Sequence, residues 1–520
     1  MGHLITVLAS SLNQWAMDFD GNYERILASI RIAKERGAAL RVGPELEIPP
    51  VMHKNVIYNC RIILYGSKIL LIRPKMWLAN DGNYRELRYF TPWTRHRQWE
   101  GLYLPRIIRA EKVPLGDCVI STLDTCIGIE LCEELFTPAS PRILMGLDGV
   151  EIFTNSSGSH HELRKLHTRV ELIKEATLKL GGIYLYANQQ GCNGDRLYYD
   201  GCPMIAVNGQ IVISATIDIE DVRAHRFKSS RSMQAAQAER YHRIEVPFAL
   251  NSGKFDKALE VIAQKEHVRY RTPEEEVALA PACWLWDYLR RSRTQGFFLP
   301  LSGGIDSCAT VVIVHSMCRL VAAEAAVQGN AQVIADARWM TGEPEGSSYL
   351  PTDPHEFARR IFHTSYMGTE NSSADTRGRA KELANAIGSY HVDLNIDSVV
   401  TAIRNLFTMV TGGKPGFKQP ITGTYVQSDE ANMGMTYEEL SVFGRLRKVE
   451  KCGPYTMFTK LLHEWGSSLM PPGNTPQIAE KFKLFYFEYA RNRQEMTTIT
   501  PAYHAESYSP DDDRFDLRPF

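Results

Sequence analysis

Short apolar runs rich in β-branched side chains recur along the first 248 residues, at 4–9, 56–65, 68–72, 118–122, 125–131, 149–154, 182–187 and 204–207. Their lengths are those of buried strands. Between them, apolar positions return with the 3.6-residue period of a helix at 23–36 and 161–180. This alternation predicts a layered α/β domain over 1–248. Residues 226–275 are basic, polar and mixed, and read as a crossing linker with a docking strand, the linker proper being 249–275.

A tryptophan-rich helical pattern at 281–293 opens the second half, 276–520. Strand patterns follow at 297–301, 361–367 and 391–396, each leading into a helix, and beyond residue 420 almost every pattern is helical. A doubly wound sheet of three strands is thin, since such folds normally enclose a wider sheet between two helical layers.

Composition adds mostly exclusions. At 520 residues the chain exceeds one core, and two to four domains are expected. A formal net charge of -1 gives no electrostatic case for nucleic acid or an anionic membrane, and no stretch was expected to span one. Ten cysteines without a Cys-x-x-Cys pair suggest reduced thiols and a cytoplasmic protein. His161, Glu162 and His167 superficially suggest a zinc protease, but the histidines stand six apart where a shared helix face needs four.

The chemistry concentrates in two places. Residues 299–307 read Leu-Pro-Leu-Ser-Gly-Gly-Ile-Asp-Ser, a strand that breaks at a glycine pair and enters an apolar helix. Adjacent glycines let backbone approach phosphate oxygens, and the helix start offers free N–H groups and the positive end of its dipole. The loop lacks the Lys-Ser/Thr ending of the Walker motif.

In the first half, the strand 125–131 runs into Cys132-Glu-Glu-Leu, placing a cysteine at a helical start, where a thiolate is favoured. Cys126, inside the strand, has no such help. Glu133 and Glu134 oppose the thiolate unless they point away. Glu45 closes one strand and Lys75 ends another, each at a sheet rim. Read singly, each is a solvated strand end or a buried thiol; together they supply a base, a cation and a soft nucleophile.

That trio resembles the nitrilase superfamily, and the Ser-Gly-Gly-x-Asp-Ser loop resembles the ATP pyrophosphatases. The two in one chain resemble the glutamine-dependent NAD synthetases, with similar text at Asn13-Gln-Trp15, Gly82-Asn-Tyr-Arg-Glu86, Asn155-Ser-Ser-Gly-Ser-His160 and Met433-Gly-Met-Thr-Tyr-Glu-Glu439. The resemblance implies a nitrilase-like α-β-β-α sandwich followed by a doubly wound ATP-pyrophosphatase domain. It implies that Glu45 is the general base, that Lys75 stabilises the oxyanion and that Cys132 attacks glutamine, with Tyr84, Ser157 and Arg164 gripping the amino acid. Pro300, Leu301, Ser302, Gly303, Gly304, Ile305, Asp306 and Ser307 would bind ATP, Ser302 also serving catalysis. Mg²⁺ and nicotinic acid adenine dinucleotide complete the implied ligands, ammonia passes between the sites, and the assembly is a homo-oligomer.

The text departs from that family at Ile48-Pro-Pro50, near 210–214, and at 415–425, where a longer segment is expected and the second domain reads as truncated. Ala431 and Asn432 replace expected acids, and Gln494 and Glu495 expected basic residues. Two functions follow from this: an NAD synthetase, or a splice form or gene-model product that acts only as a glutaminase or as a non-catalytic subunit.

Overall fold

The computed structural model describes residues 3–499 except 16–17, 48–49, 81–83, 109–110, 193–196, 213–215, 252–264, 266, 371, 413–429, 431–432 and 467–474. The departures expected at 48–49, 415–425 and 431–432 therefore lie outside the described residues.

Among the described residues, the first half is built on a nine-stranded sheet. Along its main path run Gln210–Val212, Met204–Val207, Ile183–Cys192, Ile152–Ser157, Cys126–Leu131, Val119–Ser121 and Arg243–Glu245. At its centre, Cys126–Leu131, Ile152–Ser157 and Ile183–Cys192 pair in parallel. Successive side chains on these strands point to opposite faces. Ile152, Ile183 and Leu185 enter one core with Ile5, Val7, Val42 and Leu71 of the facing strands. Phe153, Tyr184 and Tyr186 enter a second core with Val170, Ile173 and Ala176 of the helix Lys165–Leu178. This is the layered α/β domain that the pattern predicts, in the sandwich form that the resemblance implies.

The docking strand is Arg243–Glu245, which pairs in parallel with Val119–Ser121. A helix, Ser229–Ala235, precedes it within the stretch from residue 226 that reads as linker.

In the second half, Phe297–Pro300, Phe362–Gly368 and Tyr390–Asn395 form a parallel sheet of three strands among the described residues. Helices Pro273–Ser292, Ile305–Ala323, Pro354–Ile361 and Ala374–Ile387 contribute Leu289, Met317, Phe357 and Ala380 to its core. A separate helical cluster gathers Phe443, Leu461 and Tyr486.

Two expectations need correction. The first helix of this half begins at Pro273, eight residues before Pro281, which sits inside it. Thr272 caps it, its hydroxyl accepting from Glu275 N while the Glu275 side chain returns to Thr272 N; this capping box fixes the start. The helix Ile305–Ala323 is also long and apolar enough to cross a membrane by length and composition, although no stretch was expected to be. Its apolar character serves packing: Val311, Val314, Met317, Cys318 and Val321 are core residues.

Candidate active sites

Glu45, Lys75 and Cys132 come from three separate segments and meet where strands of the facing sheets end. All three are buried. Lys75 Nζ lies 2.8 Å from Glu45 Oε1 and 2.6 Å from Glu86 Oε2, so the ammonium bridges two carboxylates. Asn59 Nδ2 donates to the same pair, at 2.8 Å to Glu45 and 2.7 Å to Glu86. The Ala79 amide adds a 2.6 Å bond to Glu86.

Cys132 begins the one-turn helical segment Cys132–Leu135. Its φ of +37° is left-handed, costly for a residue with a Cβ. Its N–H donates to Asn155 Oδ1 at 3.1 Å, and Ser157 Oγ donates to its sulfur at 3.3 Å. The Tyr186 hydroxyl donates to Ser157 at 3.0 Å.

Burial pushes the Cys132 thiol up to about 12; Glu45 adds to the rise, while Lys75 and Ser157 oppose it. Cys132 therefore rests as a neutral thiol, which could attack only once a base takes its proton. Burial pulls against the Lys75 ammonium, but Glu45, Cys132 and Glu86 outweigh it and its pKa ends above the usual lysine value. The Glu86 carboxyl is raised by burial and by Glu45 against the attraction of Lys75. Glu134 points away from the sulfur, into Arg73.

The residues expected to hold an amino acid separate into three environments. Tyr84 packs against His160 with the rings tilted by 42° and their centroids 4.9 Å apart, and its hydroxyl accepts from His160 N at 3.2 Å. Ser157 is fully buried on the sulfur. Arg164 instead reaches the second half: its N–H donates to Glu276 at 2.8 Å, and its guanidinium donates to Arg271 O at 2.9 Å.

Glu86, Asn59, Asn155 and Tyr186 were not singled out from sequence. Glu86 and Asn155 stand within the stretches Gly82-Asn-Tyr-Arg-Glu86 and Asn155-Ser-Ser-Gly-Ser-His160 that carry the family resemblance, and that was the available signal. Nothing local marks Asn59 or Tyr186.

The second site is the turn between Phe297–Pro300 and the helix Ile305–Ala323. Leu301 N donates to Ser365 O at 2.8 Å, continuing the strand pairing. Ser302 Oγ lies 3.0 Å from Ser307 Oγ and accepts from Gly304 N at 3.3 Å. Gly303 has φ +78°, and a Cβ there would stand 2.3 Å from Thr376 O. Gly304 caps the helix, with Asp306 in its first turn. No group of three or more His, Cys, Asp or Glu able to hold a metal occurs among the described residues. Mg²⁺ would fit here only by riding on a nucleotide's phosphates beside a carboxylate such as Asp306.

A carbon-nitrogen hydrolase family model matches residues 48–236, a span that holds Lys75 and Cys132. Over 688 aligned positions the chain is 47% identical to the glutamine-dependent NAD(+) synthetase of Saccharomyces cerevisiae, covering all of this chain and 95% of that protein. The chain belongs to the glutamine-dependent NAD(+) synthetase family. The human member is 44% identical over 684 positions, covering all of this chain and 96% of that protein. Both aligned spans exceed the chain's 520 residues, so these members of the family carry stretches with no counterpart in it. The fold agrees with a solved member of the family from Cytophaga hutchinsonii, with TM-score 0.71, 19% identity and 99% coverage of each chain. It agrees also with that of Acinetobacter baumannii, solved with ADP, with TM-score 0.54, 15% identity and 97% coverage of each.

Proposed function

We propose that this chain makes NAD⁺ from nicotinic acid adenine dinucleotide, using ammonia released from glutamine and energy from ATP. The observation that carries this reading is the buried Glu45–Lys75–Cys132 cluster, joined in one polypeptide to the Ser302–Ser307 glycine turn.

Glu45 takes the thiol proton as Cys132 sulfur attacks the glutamine carboxamide carbon. Lys75 offsets the charge that develops on the carboxamide oxygen. The proton passes to the leaving nitrogen, ammonia departs, and a thioester remains. Water activated by the same base then releases glutamate. Glu86 and Asn59 hold the ammonium and the base at fixed separation during both half-reactions.

At the second site, the nicotinate carboxylate attacks the α-phosphorus of ATP and pyrophosphate leaves. Ammonia displaces AMP from the resulting adenylate, forming the amide. The glycine turn and helix start bind the departing pyrophosphate. Shielded transfer of ammonia matters, because in neutral water it is mostly protonated and no longer nucleophilic. We place this chemistry in the cytoplasm, in a homo-oligomer.

Similarity along the whole chain favours this reading over a glutaminase-only product. Its test is ATP-dependent NAD⁺ formation by the purified protein with glutamine and with ammonium chloride. Cys132→Ala is expected to abolish glutamine-driven turnover and keep the ammonia-driven reaction. Glutamate release without NAD⁺ from either nitrogen source would overturn the synthetase half of the proposal.

A further inference from the structure

We infer that Glu134 is a positioning residue for glutamine hydrolysis, fixing the nucleophile turn against the end of the lysine strand. The inference rests on Cys132 being the nucleophile, as proposed above.

Glu134 lies two residues after Cys132 and is fully buried. One carboxylate oxygen accepts from the Met76 amide at 2.6 Å, and the other from the Leu131 amide at 2.9 Å. Met76 follows Lys75, and Leu131 precedes Cys132. A single side chain therefore clasps the backbone beside the ammonium and the backbone beside the sulfur. Arg73 Nη1 orients the clasp, at 2.5 and 2.7 Å from its two oxygens; burial pushes the Glu134 carboxyl above its usual pKa, and Arg73 opposes that rise.

The arrangement meets a specific need. Cys132 occupies a left-handed backbone conformation that its own side chain disfavours, so neighbouring contacts must hold it there. Lys75 and Cys132 are remote in sequence, and their separation must persist through two half-reactions. A carboxylate can accept from both amides and from arginine together. A glutamine side chain has one acceptor oxygen, so it must release one strand end.

The competing role is a mere counter-ion for buried Arg73, and Asp117 separates the two. Asp117 Oδ1 lies 3.7 Å from Arg73 Nη2, while its other oxygen accepts from Arg97 N at 2.8 Å. It touches neither strand-end amide in these bonds. Asp117→Asn thus weakens the charge balance on Arg73 without opening the clasp.

The experiment compares glutamate release and iodoacetamide labelling of Cys132, read by mass spectrometry, in wild type, Glu134→Gln, Glu134→Asp, Asp117→Asn and Cys132→Ala. Glu134→Gln is expected to lower kcat roughly 100-fold, with KM for glutamine within about 3-fold, and to slow labelling comparably. Glu134→Asp, too short to reach both amides, is expected to lose about 10-fold and remains the readout should the glutamine variant not fold. Asp117→Asn is expected to stay within about 3-fold of wild type even where its melting temperature falls. Wild-type kcat in Glu134→Gln or Glu134→Asp, or an equal loss in Asp117→Asn, overturns the positioning role. Hydrolysis surviving in Cys132→Ala would instead overturn the nucleophile assignment.

Discussion

Ser157 Oγ donates a 3.3 Å hydrogen bond to Cys132 Sγ, and no atom of Ser157 is open to solvent. The hydroxyl thus addresses the sulfur, with Tyr186 fixing its rotation from behind. Ser157→Ala is expected to reduce kcat for glutamine hydrolysis about 10-fold while leaving KM nearly unchanged, because the bond lowers the thiol's pKa and aims its lone pairs. Steady-state kinetics decide: a loss confined to KM would return Ser157 to the substrate-gripping role that sequence alone suggested.

Lys75→Met removes the cation shared by Glu45 and Glu86 and leaves two buried carboxyls facing each other. Losing one partner of a buried ion pair typically costs about 3–5 kcal/mol, and losing an oxyanion stabiliser about 10²–10³ in rate. Chemical denaturation and glutamate release should report both losses. Full stability in this variant would mean that Asn59 alone suffices to hold the two acids.

The buried thiol has a signature at alkaline pH. Its pKa is raised from 9.0 to about 12, burial being the main cause, so the folded state keeps a proton that the unfolded chain gives up first. This contribution to stability is intact below about pH 9 and is lost as pH climbs toward about 12. Urea midpoints at pH 8 and pH 10 should fall more for wild type than for Cys132→Ala, and alkylation of Cys132 should keep accelerating above pH 9. Equal falls in the two proteins would place the titrating group elsewhere.

Gly303→Ala tests the phosphate turn separately from the sulfur site. A methyl group there is opposed both by φ +78° and by the Thr376 carbonyl 2.3 Å from the ideal Cβ position. Pyrophosphate release from ATP is expected to drop below a tenth of wild type, while glutamate release persists. Unchanged pyrophosphate release would show that the turn does not hold the phosphates.

Much of the first half could be read directly from the chain, because its central strands face a core on each side and so read as short continuous apolar runs, as Ile152 and Phe153 illustrate. Read singly, Glu45, Lys75 and Cys132 are strand ends and a buried thiol; the family resemblance grouped them, and the fold brings them together. Their supports Asn59, Asn155 and Tyr186 were not singled out, since they reach the site by long-range pairing that no local spacing encodes. The helix starting at Pro273 shows a different failure. The tryptophan-rich pattern begins at Pro281, yet Thr272 and Glu275 carry the capping signal, and tertiary packing of Ala282 and Leu289 holds the helix through its internal proline.

Asp287, on that same helix, accepts hydrogen bonds from the Cys192 amide at 2.7 Å and from Asn13 Nδ2 at 2.9 Å, and pairs with Arg291 at 3.2 Å. Cys192 ends the strand that carries Tyr186, so the helix splints the scaffold behind the sulfur. Dividing the gene at residue 248 would strip away this splint and bare polar groups that evolved under cover. A first-half fragment cut for engineering is therefore expected to need the chain through Arg293, so that this helix travels with the sheets it braces.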